Sequence, residues 1–178
     1  YSSVDGVSSP FASAFLEDRE GNVWIGTAGG LERLRESRLT PVQLPRAANG
    51  FAIAAGDAGA LLVGIDFDDG AFEVTGTATT RVLPGPQYIN CAYRADDGVV
   101  WLGGRGIVWH SSKSSDGAAG GSQWIPMAAP VDRANANYYP VQAIAQDRAG
   151  RLWVSVVRGG TYRIDNGKWT RVGDPALT

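Results

Sequence analysis

Short apolar stretches recur along the chain, each bounded by Gly, Asp, Asn or Ser. Phe11–Leu16, Phe51–Ala55, Ile89–Arg94 and Val141–Gln146 each run into an Asp/Gly turn. Val23–Thr27, Leu61–Ile65, Val99–Gly103 and Leu152–Val156 follow that turn. A second Gly precedes Leu31–Leu34, Ala71–Val74, Ile107–His110 and Thr161–Ile164, and Leu39–Leu44, Thr79–Leu83, Gln123–Met127 and Lys168–Val172 close the series. Runs this short, with turn residues between them, predict strands rather than helices. Asp165-Asn166-Gly167 reads as a tight hairpin turn, because Asn and Gly tolerate the positive φ it needs.

The strands fall into four repeated groups. Glu17-Asp18-Arg19-Glu20-Gly21-Asn22-Val23-Trp24-Ile25-Gly26 is matched nearly position for position by Gln146-Asp147-Arg148-Ala149-Gly150-Arg151-Leu152-Trp153-Val154-Ser155. Asp96-Asp97-Gly98-Val99-Val100-Trp101-Leu102-Gly103 is a third copy, and Asp57-Ala58-Gly59-Ala60-Leu61-Leu62-Val63-Gly64 a weaker one with Leu62 in the Trp slot. The slots are 38, 39 and 52 residues apart. A period near forty with four strands per unit is that of a propeller blade. The expected fold is all-β: a β-propeller of four-stranded antiparallel blades, four in this chain, forming a section of a larger propeller. Blade 1 is expected at about 10–45, blade 2 at about 46–86, blade 3 at about 87–131 and blade 4 at about 138–173. The Ser/Gly/Ala-rich stretch Ser111–Ser122 reads as a surface loop inside blade 3 and accounts for the longest spacing. Four blades exposing two open faces are expected to self-associate or to belong to a longer chain.

Aligning the copies on Gly21, Gly59, Gly98 and Gly150 places Ala14, Ala52, Cys91 and Ala143 together. All are small, so Cys91 reads as an apolar filler. Trp24, Trp101 and Trp153 are expected to fill the space between blades. The 24 Gly among 178 residues suit many turns, and a single Cys excludes a disulfide framework. Sixteen Lys+Arg against eighteen Asp+Glu, with no basic block, argue against nucleic acid as a partner. No apolar run reaches the ~18 residues of a membrane span, so no membrane contact is expected from this segment.

The catalytic inventory is thin. The single histidine, His110, is aligned with Leu34, Val74 and Ile164 and is expected to be a satisfied strand residue. One His and one Cys cannot build a metal cluster, and Asp66-Phe67-Asp68-Asp69-Gly70 does not fit an EF-hand loop. It reads as an acidic turn between the second and third strands of its blade. No metal or other cofactor is expected. Asp18, Asp57, Asp96 and Asp147 recur at equivalent turns, which points to structure. Ligand contacts are therefore sought among loop residues that do not repeat: Phe67, Asp68, Gln87, Tyr88, Arg105, Asn137, Tyr138, Tyr139 and Arg158. Of these, Phe67, Asp68, Tyr88, Arg105, Tyr138, Tyr139 and Arg158 are the candidate binding residues. Their aromatic rings and guanidinium groups suit stacking on sugar faces and bidentate contact with carboxylates.

The stretch Glu17 to Leu31, with its acidic-Asp-x-x-Gly-Asn-apolar-Trp-apolar-Gly-Thr-x-x-Gly-Leu pattern, resembles the two-component regulator propeller repeat. The fourth copy matches well, the third keeps Gly98, Trp101 and Gly103, and the second keeps Gly59 and Gly64. The resemblance implies a non-enzymatic, periplasmic or extracellular sensor region of a bacterial receptor, such as a hybrid histidine kinase. It implies a small-molecule or oligosaccharide signal, for instance a glycan fragment, with further blades and signalling domains of the same receptor as partners. Two other readings stay open: a propeller enzyme acting on polysaccharides or related to the streptogramin lyases, whose repeats also carry Gly-Asn-apolar-Trp, and a protein-interaction propeller.

Overall fold

The structure is a computed structural model that describes residues 8–35, 38–45, 50–66, 70–83, 87–112 and 122–173, with the backbone alone for 35, 38 and 39. Phe67 and Asp68 lie outside the described residues, as does most of the Ser111–Ser122 loop. The chain divides into two compact units, Tyr1–Ile89 and Asn90–Thr178.

Unit 1 holds two sheets. The first runs β1 (Ala12–Glu17), β2 (Val23–Thr27), β3 (Gly30–Arg35), β4 (Arg38–Val42), each strand pairing antiparallel with the next. The second runs β5 (Phe51–Ala55), β6 (Leu61–Ile65), β7 (Ala71–Thr75), β8 (Ala78–Leu83) in the same manner. Unit 2 repeats the plan with β9 (Cys91–Arg94), β10 (Val100–Gly103), β11 (Ile107–Ser112), β12 (Gln123–Ala128), then β13 (Val141–Gln146), β14 (Leu152–Val156), β15 (Gly160–Asp165), β16 (Lys168–Val172). The expected strands are present with ends moved by a residue or two. The Asp165-Asn166-Gly167 turn joins β15 to β16, with φ of 47° at Asn166 and 77° at Gly167.

The alternation of side chains on a strand decides what each face buries. Opposed residues share a face, so Leu16, Trp24, Arg33 and Thr40 form one row across the first sheet. Trp24 on that face joins Leu31, Val42, Phe51, Leu61, Val63, Ile65, Phe72 and Val74 in the core of unit 1. In unit 2, Trp101 and Val108 pack with Ile144, Leu152, Val154, Tyr162 and Ile164. Trp24 and Trp101 thus fill the space between blades as expected. Trp153 does not: it is half-buried and belongs to neither core. It lies on the face of β14 opposite Val154, and it is Val154 that faces the core of unit 2.

The small residues of the first strands have a defined purpose. Ala14 pairs with Gly26, Ala52 with Gly64, Cys91 with Gly103 and Ala143 with Ser155. Three of these partners receive a large side chain from the chain entering the next blade. A Cβ at Gly26 would lie 2.9 Å from Phe51 Cβ, one at Gly103 would lie 2.6 Å from Val141 Cγ1, and one at Gly64 would collide with Ile89 Cγ2. Ile89 and Val141 are fully buried in these seats. Cys91 packs on Gly103 as a filler, and loss of hydration pushes its thiol up to about 12. It is not the thiolate a reactive cysteine requires.

Filling a seat should be felt throughout the unit. Gly64→Val is expected to lower unfolding free energy by at least ~1–3 kcal/mol, the usual effect of overpacking a core. Gly76→Ala, in an open hairpin turn of the same unit, strains only the local backbone and serves as the milder control. Urea denaturation of the two variants checks this, and equal loss in both would contradict the seat.

Candidate functional site

The repeated turn carboxylates are structural. Asp18 Oδ1 accepts from the backbone N–H of Glu20 (3.0 Å) and Asn22 (2.8 Å), while Oδ2 accepts from Trp24 Nε1 (2.8 Å) and Asn22 Nδ2 (2.7 Å). Asp147 repeats this with Ala149, Arg151 and Trp153 Nε1 (2.9 Å), and Arg151 Nε adds a charged contact at 2.7 Å. One carboxylate thus ties the turn to the indole of the next strand. Asp57 and Asp96 are not its equivalents. The turn hydrogen bonds place Gly56 and Ala95 at the position of Asp18 and Asp147, with Asp57 and Asp96 one residue later.

His110 also shifts place. It pairs with Trp101, as Arg33 pairs with Trp24, Glu73 with Leu62 and Arg163 with Trp153. It is therefore equivalent to the polar residue beside the Trp slot, and not to Leu34, Val74 or Ile164. Its ring lies on Trp101 with centroids 4.9 Å apart and planes tilted by 33°, as the Arg33 guanidinium lies 5.4 Å from the Trp24 ring.

The described non-repeating residues of unit 2 lie where second-to-third-strand turns meet the segment that connects its two sheets. In unit 2 the connection from β12 to β13 contains a short 3-10 helix, Arg133–Tyr138, which the sequence pattern does not announce. Asp132 caps it by accepting from Ala134 N (3.0 Å) and from Asn135 Nδ2 (2.7 Å). The connection is bonded on both sides. Gly106 N donates to Tyr139 O (2.9 Å), Val141 N to Gly104 O (2.8 Å) and Val157 N to Pro140 O (2.9 Å), and Arg105 bridges Pro140. A Cβ at Gly106, whose φ is 65°, would lie 2.9 Å from Ala136 Cβ, so only glycine admits the connection this closely. These bonds bring Arg105, Tyr138, Tyr139 and Arg158 to one end of unit 2. Tyr138 is 60% exposed and Tyr139 packs on the core. The Arg158 guanidinium lies 5.7 Å from the Tyr138 ring centroid. Arg158 holds φ at 61°, a left-handed conformation uncommon outside glycine. The exposed pair offers a cation, a ring face and several donors, which suits a ligand with both a flat surface and an anionic or hydroxyl-rich edge.

Tyr88 belongs to unit 1. It stands between Gln87, whose carbonyl accepts from Gly70 N, and the seated Ile89. Its position is the counterpart, in the chain leaving β8, of Pro140 in the chain leaving β12.

One site was not singled out by the sequence pattern. Beside the turn from β2 to β3, a pocket of about 100 Å³ is lined by Ser8, Gly29, Gly30, Leu31, Glu32, Pro41, Val42, Gln43 and Leu44. Glu32 is 1% exposed. Its Oε1 accepts from Ser8 N at 2.6 Å, and Ser8 Oγ meets Thr27 Oγ1 at 2.9 Å. A charged residue within Leu31-Glu32-Arg33-Leu34 is the signal that could have drawn attention to it. Among the described residues no helix is long and apolar enough to cross a membrane.

Four sheets of four antiparallel strands, with glycine seats in three of them and a buried Trp in two, make this a protein of β-propeller blades. Residues 6–29 match the two component regulator propeller family, so the first blade carries that repeat. No curated protein sequence matches the chain. Among solved structures it resembles the extracellular domain assigned to a hybrid two component system of B. thetaiotaomicron, at 18% identity and a TM-score of 0.72, covering 94% of this chain and 23% of that one. It also resembles virginiamycin B lyase from Staphylococcus aureus, at 14% identity and a TM-score of 0.69, covering 95% of this chain and 59% of the lyase. PorZ of Porphyromonas gingivalis, a surface component of the type-IX secretion system, gives 14% identity and a TM-score of 0.63 over 89% of this chain and 26% of that one. The chain thus spans less than two thirds of each of these relatives.

The hydrogen bonds to Asp18 hold its carboxyl below the usual range, although burial acts in the opposite direction. Those to Asp147, from Trp153 first, hold it below the usual range as well. A depressed carboxyl contributes stability above its unfolded value, near 3.9, and loses it as pH falls through its folded value. Asp18→Asn is therefore expected to be less stable than the parent at pH 7, with the gap narrowing below about pH 4. Thermal unfolding between pH 7 and pH 3 tests this, and a gap independent of pH would refute the ionic role.

Proposed function

We propose that this chain is the ligand-sensing propeller portion of a bacterial two-component-type receptor, exposed to the periplasm or the exterior. In this reading a signal, for instance an oligosaccharide fragment, binds at the loop ends of the blades, and other domains of the same receptor transmit it. The observation that carries the reading is the match of the first repeat to the two component regulator propeller, in a chain whose other sheets follow the same plan. The likeness to an extracellular two component domain supports the location. In unit 2 the contacts are assigned to Arg158 and Tyr138, with Arg105 and Tyr139 supporting the connection beneath them. In unit 1 the contact is assigned to Tyr88.

An enzyme reading draws on the likeness to virginiamycin B lyase, a histidine-to-alanine variant of which is catalytically inactive. The only histidine of this chain stacks on Trp101 in mid-strand, and the sensor reading is the better supported of the two.

Oligosaccharide arrays followed by calorimetry test the proposal on the purified chain. Arg158→Ala and Tyr138→Ala are each expected to weaken binding about tenfold or more, while unfolding free energy changes by no more than about 0.5 kcal/mol, as for exposed positions. Binding unaffected by both substitutions would refute this site. Cleavage of a bound saccharide or cyclic peptide would favour the enzyme instead.

A further inference from the structure

Glu32 poses a problem of charge. A carboxylate taken out of water needs a hydrogen-bonding or cationic partner for each oxygen. Oε1 has Ser8 N. Oε2 is buried and has no hydrogen-bond partner among the described residues. The other residues around the pocket are Ser, Gly, Leu, Pro, Val and Gln, none of them a cation. Arg33, next in sequence, lies on the opposite face of β3 over Trp24.

The immediate surroundings are built to hold the carboxylate in place. Thr27 Oγ1 accepts from Gly29 N at 3.2 Å and donates to Gly30 O at 3.1 Å, which fixes the turn. Ser8 lies against Gly29 so closely that a Cβ there would collide with the Ser8 side chain. Thr27 is itself fully buried. Such a clamp leaves Glu32 little freedom to turn its second oxygen towards bulk water.

We infer that this pocket binds a primary ammonium group carried by a small molecule, with Glu32 as its counter-ion. An ammonium brings both the charge and the donors that the neutral lining lacks. At about 100 Å³ the pocket has room for the head and a short stem. The stem can belong to a simple alkylamine or to an amino sugar, and the two sources are separable by experiment.

The test is NMR titration of the purified chain at pH 7 with ethylammonium and with glucosamine, each against a neutral counterpart, ethanol and N-acetylglucosamine. Either cation is expected to shift the amides of Ser8, Gly29, Gly30 and Gln43 saturably, and the neutral compounds to leave them in place. Response to ethylammonium alone identifies a simple amine, and tighter response to glucosamine an amino sugar. Glu32→Gln keeps an acceptor for Ser8 N but removes the charge, and is expected to weaken binding at least tenfold. Gln43→Lys changes an exposed residue at the pocket rim and supplies a tethered ammonium. It should also suppress binding, and it serves where Glu32→Gln disturbs folding. Equal response to cation and neutral counterpart, or saturable binding that survives Gln43→Lys and a folded Glu32→Gln, overturns the inference. So does the absence of any saturable shift.

Discussion

The arrangement of each unit depends on the absence of a side chain. Gly26, Gly64 and Gly103 leave holes in their second strands, and Phe51, Ile89 and Val141 occupy them. Close-packed interiors do not yield to an added methyl group, so the seats fix the positions of Phe51, Ile89 and Val141 within their units. The effect reaches the candidate contacts directly. Tyr88 immediately precedes Ile89, and Tyr139 and Pro140 immediately precede Val141. A loop that ends in a seated side chain has one end clamped, which lets it present an exposed residue such as Tyr138 without being loose.

The Asp–Trp link is a second constraint, and its distribution is instructive. It is complete at Asp18–Trp24 and Asp147–Trp153. Where Gly56 or Ala95 takes the Asp position, the backbone turn persists through Gly56 N to Ala60 O and Ala95 N to Val99 O. Asp97 then makes a shorter-range contact, accepting from Val99 N at 2.9 Å. The turn is thus secured by its backbone bonds, and the carboxylate adds the tether to the indole. In unit 2 Gln146 supplies a different tie, donating to Gly150 O and accepting from Asp96 N. Degeneracy of the motif leaves the sheet intact because the backbone bonds do not need the side chain.

Strands, turns and small first-strand residues were legible because each rests on local chemistry: φ at Gly21 or Gly98, alternation in Leu61–Ile65, the Asn-Gly hairpin. Alignment of the copies fails where it crosses a connection of variable length. Trp24 and Arg33 are nine residues apart, Leu62 and Glu73 eleven, so counting placed His110 one residue off and on the wrong face. The 3-10 helix is not legible in the sequence because Arg-Ala-Asn-Ala-Asn-Tyr has no apolar period. Arg105, Tyr138, Tyr139 and Arg158 could be chosen as non-repeating, but their convergence depends on bonds between Gly106, Pro140 and Val157 that no local pattern reveals. Glu32 does not stand out in the sequence because Ser8, which donates to it, is 24 residues away.

The backbone of Arg158 carries a further consequence. A left-handed φ is comfortable for Gly and tolerable for Asn, and disfavoured by about 1–2 kcal/mol for most other residues. Substitution by Gly or Asn would relax the turn while removing the guanidinium from Tyr138. Residue 158 is thus a place where an evolving sequence, or an engineer seeking heat resistance, trades the guanidinium beside Tyr138 for an easier backbone. Screens that select variants only for endurance would be drawn to it, and would return a sturdier protein whose Tyr138 ring has lost its cation.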